Sequence, residues 1–294
     1  MNAPLAREIY EPASLQEAIG ILKDKGREAA VIAGGTDLVI ELKEEVDKPA
    51  VLVDILKLPL TYIEGSRAGG LRIGATTTAK QIAKSALIKK ELPVLIDAAI
   101  HLGGPQTQEL ATVGGNLCNG SPCANFTNVL VALEAAVTLE GSNGRREVPL
   151  KDFYRGPGAT DLKPGEILTA VTIPPIVGPY GASYVKHTLR KEMDIAIVGA
   201  AVLVQPDGNK VKKIRIALGS VGPTTLVAQN AQGVIEGKGF SAGLAEEAGK
   251  VAAEKDASYI DDVRSSAAYR RTVTSVVVRR AINEAWALAK GGKA

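Results

Sequence analysis

Apolar residues recur at helical spacing in Leu15, Ala18, Ile19 and Leu22, just behind the capping-box pattern Ser14-Leu15-Gln16-Glu17. This predicts a first helix, and Gly26 is well placed to end it. Three short apolar runs follow, Ala30 to Ala33, Val51 to Ile55 and Leu71 to Ala75, each read as a buried strand. Thr78-Ala79-Lys80-Gln81 repeats the capping box before a short helix, and Pro93 opens another that carries Leu95, Ile96, Ala99 and Ile100. Thr127 to Ala136 reads as a largely buried helix. Val137 to Glu140 and Arg146 to Leu150, joined by Gly141-Ser142-Asn143-Gly144, read as a hairpin. Ile167 to Ile173 is a strand closed by Pro174-Pro175.

Those two prolines, with Gly178, Pro179 and Gly181, mark the strongest candidate boundary in the chain. Beyond it the pattern changes. Ser183 to Leu189, Ile195 to Val204 and Val211 to Leu218 are strand-like, the last two joined by Pro206-Asp207-Gly208-Asn209. Helical segments around Leu244 to Lys255 and Ala268 to Lys290 come after them. Strands followed by helices indicate an α+β module. Trp286, spaced with Ile282 and Ala289, is expected in a core. Arg270, Arg271, Arg279 and Arg280 are expected to face either solvent or a partner subunit.

Two stretches interrupt this alternation in the same way. Val31-Ile32-Ala33-Gly34-Gly35-Thr36-Asp37-Leu38 and Thr112-Val113-Gly114-Gly115-Asn116-Leu117 each place a Gly-Gly pair among hydroxyl and amide side chains. Glycine reaches φ > 0 without a Cβ penalty, so successive N–H groups can point into one concavity that attracts anions. One such pair is more often just a turn; two of them in one chain could hold the two halves of a pyrophosphate. The first lacks the third glycine and the spacing of a dinucleotide-binding Rossmann fingerprint, and no Gly-Lys-Ser/Thr is present for a P-loop.

Composition narrows the chemistry further. A net charge of +3 over 294 residues forms no basic stripe, so nucleic acid is not implied. The two cysteines, Cys118 and Cys123, cannot frame a disulfide scaffold, and without a nearby histidine they complete no metal site. No apolar run approaches the roughly 20 residues that span a bilayer. Met1 to Glu8 lacks a signal-peptide layout, so a cytoplasmic location is expected, with possible attachment through partners to the inner face of the membrane. His101 and His187 are the only histidines, too few for a Ser-His-Asp or Cys-His constellation. With 4% aromatic residues, a large planar cofactor would lie among aliphatic side chains and backbone.

Laid out in order, Ala33-Gly34-Gly35-Thr36-Asp37-Leu38, Gly103-x-Pro105-Gln106, Thr112 to Leu117, Ser121-Pro122, Glu166-Ile167-Leu168, Ile173-Pro174 and Arg190-x-Glu192-x-Asp194-Ile195-Ala196 resemble segments of one family. These are the FAD-binding medium subunits of the molybdenum hydroxylases, relatives of xanthine dehydrogenase and carbon monoxide dehydrogenase. The resemblance implies an α+β fold of the vanillyl-alcohol-oxidase/PCMH type. Two FAD-binding subdomains (1–57 and 58–177) would precede a smaller C-terminal α/β domain (178–294).

The same resemblance implies cofactor contacts at Ile32, Ala33, Gly34, Gly35, Thr36, Asp37, Leu38, His101, Leu102, Thr112, Gly114, Gly115, Asn116, Cys118, Ser121, Asn125, Leu168, Lys186 and Ile195, with no catalytic side chain and no metal ligand on this chain. The first and second glycine stretches would hold the pyrophosphate, and Leu168, Lys186 and Ile195 would lie by the flavin. Expected partners are a small [2Fe-2S] subunit and a large molybdopterin-binding subunit, in a dimer of heterotrimers. The final acceptor would be NAD⁺, a quinone or O₂. Three departures stand out: Asn125 replaces the usual Asp, Gln108-Glu109 replaces a common Arg-Asn, and no cysteine-rich insertion is present. A self-sufficient FAD oxidoreductase of the same fold and a redox-silent dinucleotide-binding module are the rival readings.

Overall fold

The computed structural model describes residues 8–44, 46 and 49–292; the N-terminal stretch read for a leader, apart from Glu8, lies outside the described residues. The chain begins with β1 (Glu8–Tyr10), α1 (Leu15–Lys25), β2 (Ala29–Ile32), α2 (Leu38–Lys43) and β3 (Val51–Asp54). The three strands form a parallel sheet in the order β1-β3-β2. Ser14 caps α1 by accepting from Glu17 N–H, and Gly26 ends it at φ +58°. The Glu17 carboxylate reaches back one residue further than a strict capping box, to Ala13 N–H.

A second, antiparallel sheet takes strands from distant parts of the chain. β4 (Ile63–Ser66) and β5 (Gly70–Gly74) precede six helices: α3 (Ala79–Lys84), α4 (Ala86–Glu91), α5 (Val94–Ile100), α6 (Pro105–Leu110), α7 (Val113–Cys118) and α8 (Asn125–Ala132). Then come β6 (Ala136–Gly141), β7 (Gly144–Pro149), the small pair β8 (Tyr154–Gly156) and β9 (Ala159–Thr160), and β10 (Ile167–Ile173), in sheet order β4-β5-β10-β6-β7. The Gly141↔Gly144 pairing leaves Ser142-Asn143 as a two-residue hairpin turn. Helices α3, α5 and α8 bury Ile82, Leu95, Phe126 and Leu130 against this sheet.

The third sheet follows the proline-rich link and is also antiparallel, in the order β11 (Gly181–His187), β12 (Val198–Asp207), β13 (Lys210–Gly219), β14 (Leu226–Val227). Both of its faces are covered, so β12 is a continuous apolar run. Ala201 and Leu203 face the second sheet's core, while Val198, Ala200, Val202 and Val204 face the helical layer. That layer is α9 (Gln229–Ile235), α10 (Ala242–Val251) with a π-helical extension to Asp256, and α11 (Ala267–Ala289). Trp286 packs there, stacked on Phe240 at 4.4 Å. Arg270 belongs to the same buried stripe of α11, against the expectation of solvent or a partner; it is 3% exposed and bonded to two backbone carbonyls.

Where α8 meets this sheet, Gly199 and Gly219 lie opposite each other. Asn128, fully buried on α8, fills the notch they leave, and its Oδ1 accepts from Thr225 Oγ1 at 2.9 Å. A Cβ on Gly219 would come within 2.2 Å of the Asn128 amide. No helix among the described residues is long and apolar enough to cross a membrane.

Candidate functional site

β2 runs out at Ile32 into the turn Ala33–Asp37. Gly35 there has φ +67°, the left-handed conformation that glycine alone adopts without strain. Its neighbour serves a different purpose. A Cβ on Gly34 would stand 1.9 Å from the Leu110 carbonyl oxygen, so the turn lies directly on the end of α6.

The second glycine pair differs from the expected φ > 0 nest. Gly114 and Gly115 lie inside α7, and Thr112 is its N-cap, accepting Gly115 N–H at 3.0 Å. Gly114 packs on β5's end, where a Cβ would come within 2.8 Å of Ala75. Gly115 is exposed, and a Cβ there would meet only Thr112 Oγ1, at 3.0 Å. The N–H groups of the helix's first turn are already taken, Val113 by the Thr77 carbonyl at 2.9 Å, Gly114 by the Ala75 carbonyl at 2.9 Å and Gly115 by Thr112 Oγ1, so α7 offers the cleft the open face of Gly115 rather than free donors.

The two segments, some eighty residues apart in sequence, converge. Asn119 Nδ2 donates to Asp37 Oδ1 at 3.2 Å, and both stretches line one cleft of ≈ 620 Å³. Ile32 to Leu38, His101, Leu102, Thr112, Gly115, Asn116, Cys118, Ser121, Asn125, Lys186 and Ile195 all border it. Gly114 and Leu168 do not: Gly114 is turned onto Ala75, and Leu168 is buried in the core beside the bulge of β10. Gly103, Thr107, Asn119, Cys123, Asp194 and Arg264 border the cleft without having been singled out as site residues from the sequence. Asp194 stood inside a quoted motif, whereas Arg264 carries no local signal and arrives only because a distant loop folds back.

The cleft's charge is set locally. Lys186, on β11, donates from Nζ to the His101 carbonyl at 3.0 Å, at the C-terminal end of α5 where carbonyls are unpaired. Burial lowers its pKa from the ordinary lysine value, with Asp194 pulling the other way. Asp194 is held by Arg190 N–H and Ile195 N–H, at 2.9 and 3.0 Å. Asn125 is 5% exposed, and its Oδ1 takes the Tyr184 hydroxyl at 3.1 Å, so one of its two acceptor sites is already used. Burial pushes the Cys118 thiol up to about 12, which keeps it neutral at ordinary pH.

These residues fit a dinucleotide cofactor on three observations. The face of Gly115 would be filled by any side chain; Asn116 Oδ1 is buried without a donor; and the lining carries no Phe, Tyr or Trp, leaving backbone and aliphatic surface for a planar ring. Among the described residues, no group of three or more His, Cys, Asp or Glu could hold a metal ion.

Comparison with known proteins adds the family. Residues 5–176 match the FAD binding domain in molybdopterin dehydrogenase, and residues 183–285 the CO dehydrogenase flavoprotein C-terminal domain. The carbon monoxide dehydrogenase medium chain of Hydrogenophaga pseudoflava is 34% identical, covering 95% of this chain and 97% of that one. The xanthine dehydrogenase FAD-binding subunit of Escherichia coli O157:H7 is 32% identical, covering 97% of each. Among solved structures, cyanide-inactivated Cu,Mo-CO dehydrogenase superposes with a TM-score of 0.91 at 32% identity, over 97% of this chain and 99% of that one. Quinoline 2-oxidoreductase from Pseudomonas putida 86 gives 0.90 at 30% identity, over 99% of each. The chain therefore belongs to the FAD-binding medium subunits of the molybdenum hydroxylases, flavoprotein oxidoreductases of the xanthine and carbon monoxide dehydrogenase family.

Proposed function

We propose that this chain is the electron-transfer flavoprotein of a heteromeric molybdenum hydroxylase and binds no organic substrate itself. FAD, when bound, supplies a carrier that takes electrons singly from iron–sulfur centres and releases them singly or in pairs. A small [2Fe-2S] subunit would deliver those electrons from a large molybdopterin-binding subunit, and a soluble or membrane acceptor would remove them.

The observation that carries this reading is the convergence of the two glycine segments on one cleft. The turn at Gly34–Asp37 would offer its backbone N–H groups to a diphosphate, while the open face of Gly115 on α7 leaves room for it and the Thr36 and Thr112 hydroxyls lie beside it. Asn116 and Asn125 supply amide groups for cofactor hydroxyls. Lys186, part-desolvated, held by the His101 carbonyl and bordering the cleft, would stabilise a reduced, anionic ring lying beside it.

The test is the visible spectrum of the purified full chain. Absence of flavin absorbance after reconstitution with FAD would sink the reading. Lys186→Ala is expected to retain FAD and lower its midpoint potential, measured by dye-equilibrated reduction; an unchanged potential removes the tuning role.

A further inference from the structure

One wall of the cleft comes from far down the chain. Arg264 sits on the loop between Asp256 and α11, yet borders the same space as Asp194, Ile195 and Lys186. That loop is tightly built. Asp262 Oδ1 accepts from Arg264 N–H at 2.9 Å, from Ser265 N–H at 3.0 Å and from Arg270 Nη2 at 2.8 Å. Arg270 in turn donates from Nη1 to the carbonyls of Ile197 and Ser220, at 2.7 and 3.0 Å, next to the ends of β12 and β13. Burial would raise the Asp262 carboxyl, but the hydrogen bonds it accepts outweigh that and hold it down to about 2, so the anchor stays ionised at ordinary pH.

The Arg264 side chain is loosely committed by comparison. Its hydrogen bond runs from Nη1 to Asp262 Oδ2 at 3.3 Å, and Asp262 is more closely bound to Arg270. A guanidinium carries five N–H donors in a rigid fork, which suits the paired oxygens of a phosphate or the N–C=O edge of an anionic ring. Lys186, the lysine bordering the cleft among the described residues, already spends a donor on the His101 carbonyl. Asp194 is occupied by its own loop. Of the Lys and Arg side chains bordering the space among the described residues, Arg264 alone presents a forked set of donors.

We infer that Arg264, delivered by the C-terminal domain and held by the Asp262–Arg270 anchor, is a cofactor-contacting residue that turns its fork onto an anionic group of FAD. This rests on the FAD reading above. Two parts of the cofactor carry that chemistry, the diphosphate and the pyrimidine edge of the reduced ring, and the test separates them.

The full chain, its Arg264→Ala and Arg264→Lys variants and a loop control, Val263→Ser at the 98% exposed neighbour, are titrated with FAD and separately with ADP, and the bound flavin's midpoint potential is measured. For Arg264→Ala, a loss of about tenfold or more in affinity for both ligands places the fork on the diphosphate. A loss for FAD alone places it on the ring. So does unchanged affinity with a reduced form about tenfold less stable, which is about 30 mV for a two-electron couple. Arg264→Lys is expected to recover part of whichever loss appears. The inference is overturned if affinity stays within about twofold and the potential does not move, or if Val263→Ser reproduces the loss. A wild-type chain that takes up no FAD removes the FAD reading itself, and this inference with it, so the two failures are distinguishable.

Discussion

The two glycine pairs look interchangeable in the sequence, yet the fold puts their four glycines to three different uses. Gly35 supplies a left-handed turn, while Gly34 lets one backbone lie on another. Gly114 does for α7 and Ala75 what Gly34 does for Leu110. Gly115 meets almost nothing of the protein and opens on the cleft. Of the four, then, only Gly115 is spared by structure and left for a ligand. A Gly-Gly motif conflates three separate demands, on conformation, on packing and on access.

Substitutions separate those demands. Gly34→Ala has the largest expected effect. Its Cβ would meet backbone at 1.9 Å, so the turn and α6 must part, costing about 3 kcal/mol in a calorimetric or urea unfolding measurement. A wild-type melting temperature would break the comparison outright. Gly115→Leu should leave the melt unchanged or raised, since leucine favours a helix over glycine. FAD affinity should fall about a hundredfold, or about 2.7 kcal/mol; unchanged affinity would remove the access role. Gly35→Ala strains a positive φ and is expected to cost about 1–2 kcal/mol of stability, with FAD retained once folded. Thr112→Val is the mildest. Losing the cap on Gly115 N–H should cost about 1 kcal/mol, and a larger loss would mean that α7 depends on its cap more than on Gly114 packing.

The same distinction explains what could be read in advance. Features with a local cause were legible. Thr78 and Gln81 form the capping box they spell, Gly26 ends α1, and Ile167–Ile173 is a strand over the residues expected. Helices α4, α6 and α7 were not legible, because six residues are too few to show a period. In α7 the glycines argue against a helix until packing on Ala75 favours one. The strand expected from Ile195 begins at Val198: Asp194 takes the Ile195 N–H, and bonding to β11 starts only at Ile197, whose N–H donates to the His187 carbonyl. Arg270 read as a surface charge because nothing near it in sequence shows the two carbonyls and the carboxylate that bury it. Within the cleft, the glycine segments could be proposed from residue chemistry, and Lys186 and Ile195 from family resemblance. Arg264 depends on a loop closing across the third sheet, which no short pattern encodes.

The amide plug at Asn128 bears on how a cofactor gets in. Swinging the C-terminal sheet away from α8 would extract a fully buried carboxamide from its glycine notch and break its bond to Thr225, a loss of about 1–3 kcal/mol before any apolar contact is counted. Hinged gaping is therefore the costly route. The rim segment from Leu189 to Ile195, most of which is exposed, can shift without drawing any such buried amide from its notch.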